Sequence, residues 1–244
     1  MARLFRALLL AVALVAGVSA TTDAAGIDYG SGKLGDWTTY SHCDTSCRGV
    51  DTANSKYVYS DSWDTADVGI IGDSITARGW GDLYPLVTRN GRQMAVNYWS
   101  SRPTAPAVDW LLQRVQAGKR IPKTLIVTAG ANDIYDPAVM ASQVRRLKAG
   151  LPAGTRLFWV EVQVSRVKYS QAIQIADQRN SMSVNLQLYQ NLDPGQVVRW
   201  SELFWAAPWR LTYYMEDGVH PKVGVGTRCW AAVVVAPLIA QGLV

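Results

Sequence analysis

The sequence predicts an α/β fold, a three-layer α/β/α domain built on a parallel sheet of about five strands. Two observations predict it. Short runs that are apolar throughout recur from Asp67 onward, as strands buried on both faces require. Segments with helical periodicity separate them, which is the pattern of a sheet covered by helices on both sides. A composition of 49% apolar and 18% charged residues supplies one sizeable core and demands no second domain.

The strand candidates are "DVGIIG" from Asp67, "QMAVN" from Gln93, "KTLIVTAG" from Lys123, "RLFWVEVQ" from Arg156 and "QVVRW" from Gln196. Between them lie the helical candidates "GWGDLYPLVTRNG" from Gly79, "APAVDWLLQRVQAG" from Ala105, "PAVMASQVRRLKAG" from Pro137 and "YSQAIQIADQRNSMSVNLQLYQN" from Tyr169. Val108, Leu111, Leu112 and Val115 recur at helical spacing, as do Val139, Val144 and Leu147. A last helical run, "TRCWAAVVVAPLIAQGL", begins at Thr227.

The first part of the chain follows a different logic. Arg3 and Arg6 form a basic start, Ala7 to Val18 an apolar stretch too short to span a membrane comfortably, and "VSA" ends on small residues. This reads as a Sec-type signal peptide over residues 1–20, cleaved after Ala20 or near Ala25, and hence as a secreted, bacterial-type protein with no membrane span once the signal is gone. Residues 21–65 are rich in Ser, Thr, Asp, Gly and Tyr and read as an irregular extension before a domain at 66–244. Of three cysteines, Cys43 and Cys47 are close enough to close a short loop, an assignment that leaves open a link to Cys229. With only two histidines and no second Cys pair, a zinc site is not expected, nor is any other metal or cofactor. The formal charge of +5 includes Arg3 and Arg6 and is otherwise scattered, so no nucleic-acid surface is expected.

In parallel α/β sheets, ligands bind beyond the carboxyl ends of the strands. After the first run comes Gly72-Asp73-Ser74, after the second "NYWSSRPT" from Asn97, and after the third "GAND" from Gly130. A late loop, "EDGVHP", precedes the last helix. Ser74 can cap a helix or act as a nucleophile, and the other three stretches decide between these. A serine hydroxyl becomes nucleophilic when an imidazole takes its proton, and the imidazole needs a carboxylate to hold its tautomer. Asp217 and His220, three apart in one loop, can supply both, and the other histidine, His42, lies in the irregular extension. Asn132 can donate to an oxyanion, and a turn at Gly130 can bring its backbone close to substrate.

These stretches together resemble the SGNH (GDSL-type) hydrolase family: "GDSIT" its first block, "GAND" its Gly-x-Asn-Asp block and "DGVHP" its Asp-x-x-His block, in the family's order from Val68 to the C-terminus. The resemblance implies a flavodoxin-like sheet, Ser74 as nucleophile, His220 as base and Asp217 as its orienting acid. It also implies an oxyanion hole from the Ser74 N–H and the Asn132 side chain. The family's remaining oxyanion donor is a glycine N–H, for which "WSSRP" offers Ser101, or Arg102 if the spacing shifts by one. Arg102 is also a candidate for an anionic substrate group.

Further substrate contacts are expected from Asp73, Gly130, Trp99 and Trp80. The aromatic stretch at Trp200, Phe204, Trp205, Trp209, Tyr213 and Tyr214 can wall an acyl or glycan pocket or fill core space. The reading is a secreted esterase for short-chain acyl or acetyl esters of a small molecule, glycan or lipid. An acyltransferase on the same triad and a catalytically silent glycan-binding or envelope protein are the alternatives.

Overall fold

The computed structural model describes residues 61–134 and 136–244. The expected signal peptide at 1–20, His42, Cys43 and Cys47 lie outside the described residues, and Cys229 has no disulfide partner within them.

Five parallel strands form one sheet: β1 (Val68–Gly72), β2 (Met94–Tyr98), β3 (Thr124–Val127), β4 (Arg156–Val160) and β5 (Val197–Val198). Their spatial order is β2-β1-β3-β4-β5, the doubly wound order in which the winding reverses between β1 and β3. Ile71 lies between Asn97 of β2 and Val127 of β3, so the ends of the three strands open at one level. All residues of β1, β2 and β3 are buried, because helices cover both faces.

The helices are α1 (Ser74–Thr88), α2 (Thr104–Gln116), α3 (Pro137–Gly150), α4 (Gln171–Asn191), α5 (Glu202–Trp205), α6 (Trp209–Tyr214) and α7 (Val225–Ala240). α1 packs on α7 in one layer, and α2, α3 and α4 pack side by side in the other. α7 is long and apolar, yet no helix among the described residues is long and apolar enough to cross a membrane.

The structure moves three sequence boundaries. α1 starts at Ser74 rather than Gly79, because Asp73 caps it by accepting the Ile75 N–H at 2.9 Å. The aromatic stretch before the late loop contains two short helices, α5 and α6, too short to show periodicity. The packed unit also reaches back past Ala66. Trp63 is fully buried, donates from its indole to the Val96 carbonyl at 3.2 Å, and meets Trp110 edge-on.

Candidate active site

The site is built in two halves. The first stands on the ends of β1, β2 and β3. Asp73 is fully buried and has two acceptor roles: Oδ1 takes the Ile75 N–H, and Oδ2 takes the Asn132 side-chain N–H at 3.2 Å. Burial, opposed by the Ile75 hydrogen bond and the nearby His220, pushes its carboxyl from the ordinary 3.8 up to about 7. Asp73 therefore caps the helix, which leaves the Ser74 hydroxyl free for other partners. At this first helical position the Ser74 N–H is one of the orphan donors of α1.

Asn132 follows β3 in a single 3-10 turn, Ala131–Asp133. Its amide also donates to the Arg102 carbonyl at 3.2 Å, which ties the loop after β3 to the loop after β2. Gly130 begins that turn with φ of 142°, and a Cβ there would sit 2.5 Å from Met140 and 2.7 Å from Val162. Gly130 is buried, so it shapes the turn instead of touching substrate. The neighbouring Asp133 accepts from both the backbone N–H and the hydroxyl of Thr104, at 2.7 and 2.5 Å, and so caps α2 from across the crevice. Burial, offset by the two Thr104 hydrogen bonds, raises its carboxyl to about 6.

Ser101 has φ of 60°, and among the described residues it alone adopts positive φ without being glycine. The chain here takes the conformation that glycine favours, although the sequence supplies serine. Its backbone N–H forms no hydrogen bond with a described residue, whereas the Arg102 N–H is turned back to the Trp99 carbonyl. Ser101 is thus the free donor of this loop.

The expectation that Arg102 and Trp99 contact substrate is corrected. Arg102 is fully buried: its guanidinium donates to Asn97 Oδ1 at 3.0 Å and to the Pro106 carbonyl at 3.1 Å, and lies 3.9 Å over the Trp99 ring. The pair braces the loop from beneath.

The second half is a hairpin outside the sheet, closed by a bridge between Met215 and Pro221. Asp217 Oδ1 accepts the N–H groups of Val219 and His220 at 2.9 and 2.8 Å, so the acid folds its own turn. Oδ2 meets His220 Nδ1 at 2.8 Å, and His220 Nε2 meets Ser74 Oγ at 2.8 Å. Partial burial would raise Asp217, but the His220 ring, the two backbone N–H groups and the imidazole charge hold its carboxyl well below the usual range. A carboxylate can only accept, so Nδ1 carries the proton and Nε2 is left to accept from the serine hydroxyl.

The hairpin is held by the loop after β4. Ser165 N–H donates to the Gly218 carbonyl at 2.9 Å and Val167 N–H to the Asp217 carbonyl at 3.0 Å. Gly218, with φ of 86°, would drive a Cβ to 1.6 Å from the Ser165 carbonyl oxygen. That loop is clamped in turn by Arg166, whose buried guanidinium makes a two-pronged ion pair with Asp177 of α4 at 2.7 and 2.8 Å. Arg166 and Asp177 have no motif to announce them.

The aromatic stretch divides. Trp200 is buried and meets Phe204 edge-on, which is core packing. Trp209 is 61% exposed and touches Tyr213 and Arg210 on the outer side of α6. Trp80 meets Tyr84 on α1.

No protein-family model and no curated protein matches the chain. Solved structures do. The C-terminal catalytic domain of peptidoglycan O-acetyltransferase A from Streptococcus pneumoniae aligns over 72% of this chain and 94% of its own, with 18% identity and a TM-score of 0.55. An acetylxylan esterase from Geobacillus stearothermophilus aligns over 72% and 94%, with 16% identity and a TM-score of 0.54. A member of the lipolytic protein G-D-S-L family from Veillonella parvula aligns over 69% and 97%, with 12% identity and a TM-score of 0.52. The chain has the G-D-S-L fold. Within that fold, Ser74 and Asn132 stand at the carboxyl ends of strands flanking the point where the winding reverses.

Proposed function

We propose that the chain is an exported serine esterase that cleaves short-chain acyl or acetyl esters through an acyl-enzyme on Ser74. The observation that carries this reading is the unbroken line from Ser74 Oγ to His220 Nε2 and from His220 Nδ1 to Asp217, each link 2.8 Å. Ser74 Oγ attacks the ester carbonyl carbon while His220 Nε2 takes the hydroxyl proton. Negative charge gathers on the carbonyl oxygen, where the N–H groups of Ser74 and Ser101 and the amide of Asn132 receive it, Asn132 exchanging its bond to the Arg102 carbonyl for the oxyanion. Each such donor contributes about 10²–10³-fold to the rate. The intermediate collapses, the alcohol leaves with the proton from His220, and the acyl group stays on Ser74. Water activated by His220 then attacks the acyl-enzyme and releases the acid.

An alcohol acceptor in place of that water would make the same site an acyltransferase, a reading favoured by the likeness to the catalytic domain of peptidoglycan O-acetyltransferase A. A silent binding protein is disfavoured, because Ser101 takes a glycine-like conformation where the sequence departs from the family pattern.

A serine-reactive phosphonate tests the reading. The mature protein should gain one adduct mass and the Ser74→Ala form none; equal labelling of both, or of neither, would overturn it. Product analysis with an added alcohol then separates hydrolysis from transfer.

A further inference from the structure

Next to the hairpin that carries Asp217 and His220 lies a cavity of about 160 Å³ lined by Gln163, Gln178, Phe204, Trp205, Pro208 and Leu211. Its position follows from the chain. Gln163 lies three residues past the end of β4, in the loop whose Ser165 and Val167 hold the hairpin backbone. Leu211 belongs to α6, which runs directly into Met215 at the base of that hairpin.

The walls differ in chemistry. Gln163 is only 3% exposed, yet its side-chain amide forms no hydrogen bond with any described residue. A buried primary amide left without a partner asks for one, and here the cavity is where it can find it. Gln178 gives its Nε2 to the Ser165 hydroxyl at 3.0 Å, which leaves its Oε1 as an acceptor. Phe204 and Trp205 line the same cavity, with Trp205 47% exposed although large and apolar.

An acyl chain would fit the aromatic wall and leave the Gln163 amide desolvated and unpaired, which a binding site does not tolerate well. A ring with hydroxyl groups on its rim and C–H groups on its face satisfies both walls at once. We propose that this cavity is a sugar subsite: it holds the pyranose ring of the alcohol portion of the ester, Gln163 and Gln178 bonding its hydroxyls and Trp205 stacking on its C–H face. The proposal rests on the esterase reading of Ser74 for its catalytic meaning, and it makes the natural substrate an acylated glycan.

Two measurements test it separately from that reading. The first compares kcat/KM for a mono-O-acetyl methyl β-D-glucopyranoside with that for 4-nitrophenyl acetate, which has the same acyl group and no sugar. In Gln163→Leu and in Trp205→Ala the sugar-to-nitrophenyl ratio should drop about tenfold or more, through KM. A parallel loss on both esters, or no change in the ratio, would overturn the subsite. The second uses saturation-transfer NMR with methyl β-D-glucopyranoside on the Ser74→Ala protein, where no chemistry intervenes. Transfer to the ring protons that Trp205→Ala abolishes supports the subsite, and no transfer overturns it. Trp205 is half exposed, so its replacement leaves the core intact even if Gln163→Leu disturbs the loop. Loss of phosphonate labelling at Ser74 would strike the esterase reading alone.

Discussion

The two halves of the site are built by different physics. Asp73, Asn132 and Asp133 stand on adjacent strand ends, buried or nearly so, and bond to one another's loops. Their geometry is inherited from the register of a parallel sheet. Asp217 and His220 are only partly buried and belong to a hairpin outside the sheet, positioned by backbone bonds from the loop after β4. The acids diverge accordingly. Burial raises Asp73 to about 7 and Asp133 to about 6, whereas the hydrogen bonds of His220 and its own turn keep Asp217 low. In the proposed reaction the strand-end half receives the oxyanion, and the hairpin half keeps a charge beside the imidazole.

The largest break is expected in the hairpin half. Asp217→Asn keeps the turn acceptor but offers His220 a donor or a neutral oxygen, so the ring loses its fixed tautomer. Turnover should fall about 10⁴-fold while thermal stability at neutral pH changes far less. Steady-state kinetics on any ester that the wild type cleaves checks this; a loss under tenfold would remove Asp217 from the relay.

Next comes the clamp behind that hairpin. Arg166 and Asp177 are both buried, so Asp177→Asn or Arg166→Met strands a charge or its hydrogen bonds and should cost about 3–5 kcal/mol of stability. Denaturant unfolding measures it. Replacing both together should cost less than either alone, and a double-variant cost equal to the sum of the two single costs would mean that the pair is not coupled.

How much of this was legible in the sequence follows the same division. The strands were readable because burial on both faces leaves apolar runs, and α3 was readable from its periodicity and the Asp136-Pro137 start. The hydrogen-bonded line of Ser74, His220 and Asp217 was foreshadowed by motif and spacing, and Asp217 closes its turn on the backbone N–H of the residue three on. The fate of Arg102 was not. An arginine in a loop reads as a solvent or substrate contact, and only Asn97 and Trp99, brought beneath it by β2, turn it inward. Gln163 was hidden in "WVEVQV", where it and Glu161 are as buried as the valines around them. Glu161 accepts from Ser201, Glu202 and Tyr189, partners remote in sequence, and Gln163 has none among the described residues. Sequence patterns report the period of burial but not which buried polar group lacks a partner.

The strand-end half should reveal itself through pH. Folding lifts Asp73 from 3.8 to about 7, so between those values the folded state holds a proton that the unfolded chain has released. Unfolding free energy therefore declines as pH rises through that window, and Asp133 adds to the decline up to about 6. Asp73→Asn keeps an oxygen for the Ile75 N–H and cannot ionise, so the thermal midpoint should fall less steeply from pH 4 to pH 7 than in the wild type. The same change sets an amide donor against Asn132, so it should also weaken turnover. Identical slopes in the two proteins would mean that Asp73 ionises freely.

The smallest effect is expected where the halves meet through side chains. Arg78 of α1, one turn beyond Ser74, pairs with Glu216 beside Asp217. The pair joins the helix that begins at Ser74 to the hairpin that carries His220 and invites the view that it holds them together. Both side chains are substantially exposed, however, at 32% and 50%, and such pairs contribute about 0–1 kcal/mol. The backbone bonds from Ser165 and Val167 and the clamp at Arg166 already fix the hairpin without it. Arg78→Ala should thus move the thermal midpoint little and reduce kcat/KM less than about tenfold, much as added salt does to the wild type. A collapse of kcat with an unchanged midpoint would reverse the assignment. It would mean that the hairpin is hinged on its loop and drawn onto Ser74 by one surface charge.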